Sequence, residues 1–174
     1  MFTDPVKNLK AFGLREDMIV ADLGAGTGFY TIPAGKMVPM GKVYAIEVQK
    51  DFLTTVKNKA VEAHLDNVEC LLGNVEKIGG TKLKDKIIDA VIASNILFQI
   101  EDKDKFIDET KRILKPGGKL FLVDWSDNGS TIGPSFDKII PKNKAREMFE
   151  RKGFTWQRDI DAGGHHYGII LVNK

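Results

Sequence analysis

The chain has 174 residues, with 26 Lys plus Arg against 24 Asp plus Glu, one cysteine and 43% hydrophobic residues. That length suits a single domain able to bury roughly 70% of its unfolded surface and leaves little room for two. A lone Cys70 excludes an internal disulfide and a cysteine-based zinc site, and a net charge of +2 gives no overall electrostatic footprint for nucleic acid or an anionic membrane.

Met1 to Asp17 mixes charged and apolar residues and lacks the basic start and continuous apolar stretch of a signal peptide. The longest apolar runs, such as Ile87 to Ile100, are broken by Asp89, Ser94, Asn95 and Gln99 and fall short of the roughly 20 residues that span a bilayer. A cytoplasmic protein without a membrane partner is expected. No internal repeat or long linker divides the chain.

Met18 to Leu23 (MIVADL) is a short apolar run ending in glycines, the pattern of a buried strand. Phe29 to Val38 reads as a helix with Pro33 near its first turn, where a missing N–H costs little. Lys42 to Val48 (KVYAIEV) is a second strand. In the helix that follows, from Lys50 to His64, Leu53, Val56, Ala60 and Ala63 form an apolar stripe. Val68 to Leu72 and Ile87 to Ala93 are the third and fourth strands, separated by a polar, glycine-containing stretch. Lys103 to Leu114 is a helix that stops before Pro116-Gly117-Gly118, and Lys119 to Trp125 (KLFLVDW) is the fifth strand. After a loop from Ser126 to Pro141, Lys142 to Lys152 is a helix ended by Gly153. Phe154 to Ala162 and His165 to Val172 then form two strands joined at Gly163-Gly164, a hairpin signal. Near-continuous apolar strands alternating with helices predict a doubly wound α/β domain. Its seven-stranded sheet is mostly parallel, covered by helices on both faces, with one antiparallel strand from the terminal hairpin. Ligands of such sheets sit outside the carboxyl ends of the strands, where the strand order reverses.

Val20 to Gly28 (VADLGAGTG) follows that rule: Gly24, Gly26 and Gly28 alternate between the first strand and the next helix. Glycines there let the backbone turn sharply and let a ligand approach the main chain. The dinucleotide pattern G-x-G-x-x-G would need glycine at position 29, which is Phe29, and no Lys-Ser/Thr pair follows as in a P-loop. Asp22 would repel a pyrophosphate and suits a ligand carrying an ammonium group.

On these residues the sequence resembles the class I S-adenosylmethionine-dependent methyltransferases, whose first motif has an acidic residue followed by alternating glycines, as in Asp22-Leu23-Gly24-Ala25-Gly26-Thr27-Gly28. Glu47, 23 positions after Gly24, stands where the family places a carboxylate that accepts from the ribose hydroxyls. Asn74, with Val75 beside it, matches a position that commonly contacts the adenine, although many members have Asp there. Asp89 to Gln99 resembles the fourth motif, and Leu114 to Asp124 the proline-glycine turn and fifth strand. The resemblance implies S-adenosyl-L-methionine as cofactor, S-adenosyl-L-homocysteine as product, no metal, and Asp22, Gly24, Ala25, Gly26, Thr27, Gly28, Glu47, Val48, Asn74, Val75, Ser94 and Asn95 as cofactor-binding residues.

The acceptor side is less marked. Ser94-Asn95-Ile96-Leu97 lacks the Asn-Pro-Pro-aromatic signature of enzymes acting on exocyclic amines of DNA bases or on protein amides, and arsenite methylation would call for several cysteines. The motif style resembles quinone-biosynthesis C-methyltransferases, so a small-molecule acceptor is expected, with nucleic acid disfavoured. If the last strands pair as family topology implies, His165 and His166 face the acceptor as candidate bases. Phe29, Tyr30, Gln99, Trp125 and Tyr167 are the candidate substrate-side residues. The expected organisation is one domain: a lid-like segment over residues 1–17, a cofactor core over 18–125, and an acceptor-side loop, helix and hairpin over 126–174. The short N-terminal segment leaves the acceptor side sparsely covered, so either Met1 to Phe12 and the Ser126 to Pro141 loop fold down over it or a second copy closes it as a homodimer. A regulatory protein that keeps the cofactor but not the turnover is the alternative from another class, and RNA methylation is a third.

Overall fold

The computed structural model describes residues 3–126 and 133–174. Its elements in chain order are α1 (Pro5–Phe12), β1 (Ile19–Leu23), α2 (Thr31–Met37), β2 (Lys42–Glu47), α3 (Lys50–Glu62), β3 (Val68–Leu72), β4 (Ile88–Ser94), α4 (Lys103–Ile113), β5 (Leu114–Trp125), a 3-10 turn (Phe136–Lys138), α5 (Lys142–Arg151), β6 (Phe154–Ile160) and β7 (His166–Asn173). The sheet runs in the order β3-β2-β1-β4-β5-β7-β6. β7 is antiparallel to both β5 and β6, while the other pairings are parallel. Strand order therefore reverses between β1 and β4, and the crevice outside their carboxyl ends is where a ligand fits.

Both sheet faces are apolar, as the continuous strand runs require. On one face Val20, Val43, Ala90, Ile92, Phe121 and Ile170 pack against Leu9 and Phe12 of α1 and Ala34 of α2. On the other, Leu23, Val91, Leu122 and Ile169 meet Phe106, Ile107 and Ile113 of α4 and Phe149 of α5. α4 begins where Asp102 accepts from the Lys105 amide at 3.0 Å, satisfying one donor that the first helical turn leaves open.

Two elements differ from the sequence reading. The N-terminal segment contains a helix whose Leu9 and Phe12 are fully buried, with Phe12 stacked on Phe121 at 5.2 Å. Its punctuation is in the sequence: Asp4 caps it by accepting from the Lys7 amide, Pro5 opens it, and Gly13 at φ +84° closes it. Leu9 and Phe12 thus anchor this segment in the core, while Asn8 beside them reaches Tyr30. In addition, Pro116-Gly117-Gly118 lies inside β5. The β4 register jumps from Ile88↔Leu114 to Ala90↔Lys119, so the proline and glycines form a bulge that lets the strand start five residues early. Of the Ser126–Pro141 loop, residues 127–132 lie outside the described residues.

Candidate active site

A cavity of about 580 Å³ opens at the carboxyl ends of β1, β2 and β4. Its floor is the turn after β1. The amides of Gly24 and Ala25 both donate to the Ile46 carbonyl at 2.9 and 3.1 Å, pinning the turn to the end of β2. Gly24 has φ +73°, and a Cβ there would lie 2.3 Å from Ile96 Cδ1, so Ile96 packs directly on bare backbone. Gly26 has φ +52° and no atom within 4 Å of where its Cβ would be, which leaves its main chain open to the cavity. Gly28 faces α3, since its Cβ position is filled by Val56 and Ile32.

Two buried carboxylates flank this floor. Glu47 is 8% exposed; its Oε2 accepts from the Gly26 amide at 3.0 Å, and its Oε1 accepts from the Val48 and Gln49 amides at 2.8 and 3.1 Å. Asp22 is 2% exposed and accepts from the Thr31 hydroxyl at 2.6 Å. Burial pushes the Asp22 carboxyl up to about 7, opposed by the Thr31 hydroxyl and reinforced by the charge on Glu47. The cavity thus concentrates negative potential that an incoming cation would relieve. Tyr30 walls it; the Asn8 amide donates to its hydroxyl at 2.9 Å, and burial raises that hydroxyl to about 12.

The far wall is the turn after β3, which carries Gly73, Asn74, Val75 and Glu76. Asn74 Oδ1 accepts from the Glu76 amide at 2.8 Å, and the Asn74 amide donates to Gly80 at 3.0 Å. A fully buried carboxylate on α4 holds this turn from behind: Glu109 accepts from the Gly79 amide (2.8 Å), the Thr81 amide (3.2 Å), the Thr81 hydroxyl (2.6 Å) and both Nε and Nη2 of Arg112 (2.8 Å each). These hydrogen bonds hold the Glu109 carboxyl well below the usual carboxylate range, at about 2, against the opposing effect of its burial. Across the cavity, the β4 end carries Asn95 at φ +53°, whose carbonyl accepts from Gln99 Nε2 at 3.0 Å.

A family model described as a methyltransferase domain matches residues 14–155, which take in this whole cavity. The chain belongs to the class I S-adenosylmethionine-dependent methyltransferases. It is 30% identical over 116 residues, 66% of its length, to a ubiquinone/menaquinone biosynthesis C-methyltransferase of Hahella chejuensis, 45% of which is matched. It is 29% identical over 119 residues, 67% of its length, to an arsenite methyltransferase of Halobacterium salinarum, 30% of which is matched. The chain thus spans less than half the length of these two curated relatives. Among solved structures, a SAM-dependent methyltransferase from Aquifex aeolicus superposes with a TM-score of 0.91 at 32% identity, covering 99% of this chain and 91% of that one.

The residues present fit the family's cofactor. The open backbone at Gly26 gives close approach, Asp22 suits an ammonium, and Glu47 keeps one acceptor position on Oε2, because Oε1 already takes two donors. Among the described residues no group of three or more His, Cys, Asp or Glu side chains could hold a metal ion.

Of the residues singled out in the sequence, Asp22, Gly24, Ala25, Gly26, Thr27, Glu47, Val48, Asn74, Val75, Ser94, Asn95, Phe29, Tyr30 and Gln99 all line this one cavity. Gly28, Trp125, His165, His166 and Tyr167 do not. β7 is antiparallel to β5 and sets His166 opposite Trp125, their rings 4.4 Å apart, on the two strands next beyond β4. His166 Nδ1 is engaged with the Thr3 hydroxyl at 3.0 Å. Lining residues missed in the sequence include Gln49 and Gly73, which directly follow strand ends and were reachable by the same positional rule. Phe52, Glu76 and Ile100 were not, since they enter through helix phase and through the Glu101 amide donating to Glu76.

Proposed function

We propose that the chain transfers a methyl group from S-adenosylmethionine to a small-molecule acceptor that approaches over the carboxyl ends of β4 and β5. The observation that carries this reading is the joining, in one cavity, of an open glycine main chain with two buried carboxylates, Asp22 and Glu47. When bound, the cofactor supplies an electrophilic methyl group on a sulfonium centre. The chain's own part is placement and exclusion of water. Asp22 holds negative charge for the ligand's ammonium group, Glu47 Oε2 accepts from the ribose, and Asn74, with its Oδ1 committed to Glu76, offers its NH₂ to the adenine. Buried Tyr30, Ile96 and Ile100 keep the methyl-transfer end dry. No general base is assigned, because an acceptor with an available lone pair needs only position.

A small acceptor is supported by the two curated relatives, one named for ubiquinone/menaquinone biosynthesis and the other for arsenite. Cys70, the one cysteine, is half-buried within β3 and away from the cavity lining, which argues against arsenic as the substrate here. Near-neutral charge argues against RNA. Residues 18–125 then hold the cofactor, and residues 126–174 contribute the acceptor side.

The test is to incubate the protein with methyl-labelled S-adenosylmethionine and fractionated metabolite extract. A labelled product below about 1 kDa, formed with stoichiometric S-adenosylhomocysteine, is the expected result. Label found only in RNA or protein would refute the small-molecule reading, and cofactor binding without any labelled product would favour the regulatory alternative.

A further inference from the structure

Residues 73–87, between β3 and β4, form turns without a helix or strand, yet their first part walls the cofactor cavity. The stretch is not one that its own residues favour: Lys82 and Lys86 stand at φ +65° and +53°, in the left-handed region that disfavours a side chain. Within it two main-chain segments lie against each other with no room between them. A Cβ on Gly80 would fall 2.0 Å from the Asn74 carbonyl oxygen, and one on Gly73 would fall 2.5 Å from the Gly80 carbonyl oxygen. That Gly80 oxygen also accepts from the Asn74 amide at 3.0 Å. A displacement of Gly79 to Thr81 therefore passes directly to Gly73 and Asn74, which line the cavity.

Glu109 of α4 fixes Gly79 to Thr81 from the other side. Its Oε2 accepts from the Gly79 amide and Arg112 Nε, and its Oε1 from the Thr81 amide, the Thr81 hydroxyl and Arg112 Nη2. Arg112 carries the anchor onward, since Nη2 donates to the Leu83 carbonyl at 2.9 Å and Nη1 meets Asp85 Oδ1 at 2.5 Å. One ion pair thus clamps the stretch at Gly79, Thr81, Leu83 and Asp85. Every group aimed at Glu109 in this cluster is a donor, which an ionised carboxylate satisfies because it only accepts; a carboxamide would turn its own N–H groups against some of them. Glu109 is fully buried and is not part of the cavity lining, so any influence it has on a ligand passes through the turn.

We propose that Glu109 is a positioning residue for the base of the cofactor: by fixing the Gly79–Thr81 turn it holds Gly73 and Asn74 where the base is bound. The inference rests on the methyl-transfer reading above, in which Asn74 meets the adenine, and adds to it a residue outside the cavity. The ribose and amino-acid ends do not depend on Glu109. Glu47 has its own donors in the Gly26, Val48 and Gln49 amides, and Asp22 has the Thr31 hydroxyl.

Calorimetry on the full chain compares S-adenosylhomocysteine with S-ribosylhomocysteine, the same molecule with a hydroxyl in place of the base. The wild type should bind the first about 10-fold or more tightly than the second. Glu109→Gln should lower S-adenosylhomocysteine affinity about 10-fold and leave S-ribosylhomocysteine within about 2-fold, so that the advantage conferred by the base shrinks. A general loosening of the fold would weaken both ligands alike. That outcome overturns the proposal, as do an unchanged S-adenosylhomocysteine affinity in the variant and equal binding of the two ligands by the wild type. Thr81→Val, which takes only the hydroxyl contact from Glu109, should cost S-adenosylhomocysteine about 3-fold and S-ribosylhomocysteine nothing, and it decides by the same comparison where circular dichroism shows Glu109→Gln to be unfolded. Equal losses for both ligands, with S-adenosylhomocysteine still bound by the wild type, leave the methyl-transfer reading standing; a wild type that binds no S-adenosylhomocysteine overturns that reading and the proposal with it.

Discussion

At the carboxyl ends of β1 and β2 the chain buries two carboxylates, Asp22 and Glu47, on the wall of the cofactor cavity, whereas at the end of β5 it buries one, Asp124, whose oxygens accept from the Leu97 and Trp125 amides at 2.7 and 2.8 Å, and the neighbouring Asp159 and Asp161 lie outside, paired with lysines. The first arrangement is fixed by a run of seven consecutive residues, Asp22 to Gly28, and its anchor on β2. The second is assembled from segments far apart in the chain, by the antiparallel pairing of β7 with β5. The first end presents its acidic side chains to a cavity; the second commits its own to partners within the fold. α1 joins them, because Asn8 donates to Tyr30 on one side while Lys7 and Thr3 reach Asp161 and His166 on the other.

Disturbing that shared helix gives the largest expected effect. Phe12→Ala removes a fully buried ring stacked on Phe121 and should cost about 3–5 kcal/mol in denaturant unfolding, weakening both ends together. A loss below about 1 kcal/mol would mean that α1 is dispensable packing. Gly26→Arg should separate the ends: its side chain takes the open space beside the main chain that the ligand needs, so S-adenosylhomocysteine affinity falls about 100-fold, while strain at the left-handed φ of +52° costs the fold about 1–2 kcal/mol and lowers the thermal midpoint by several degrees.

A titration sharpens the contrast further. Asp22, at about 7, is ionised only in part at neutral pH, so affinity for the cationic cofactor should rise through pH 7 and be about 10-fold lower at pH 6 than at its plateau. Asp22→Asn should flatten that profile, which calorimetry at several pH values would reveal. The same shift acts on stability with the opposite benefit. Asp22 at about 7 and Asp124 at about 6, both raised by burial, bind protons in the folded state that the unfolded chain releases near pH 4. Their contribution is therefore complete below about pH 4 and is lost as pH rises to 6–7. The smallest effect belongs to the exposed ion pair at the hairpin end: solvent screens it, so Lys7→Ala should leave both the thermal midpoint and cofactor affinity near wild type.

These differences also explain what was legible in the sequence. The glycine turn, Asp22 and Glu47 were readable because their ligand geometry is local, set by a strand end and a run of small residues. The strands were readable because burial on both faces makes their apolar runs continuous. α1 was overlooked although Asp4, Pro5 and Gly13 punctuate it, since eight residues carry little periodicity. The bulge in β5 hid behind Pro116-Gly117-Gly118, which read as a break because the neighbouring strand that accommodates it is distant in sequence. His166 and Tyr167 were placed at the correct edge, but the side of the cavity wall on which they fall depends on a register that no local pattern encodes. Glu109 gave no signal at all: a glutamate on an amphipathic helix looks solvated until the turn after β3 folds onto it.

Calorimetric titration of the full chain at pH 8 with S-adenosylhomocysteine and, separately, with NAD bears most directly on the assignment of Asp22, the glycine turn and Glu47. One molecule of S-adenosylhomocysteine bound per chain, with no heat from NAD, is the predicted result. Binding of NAD with none of S-adenosylhomocysteine would contradict it.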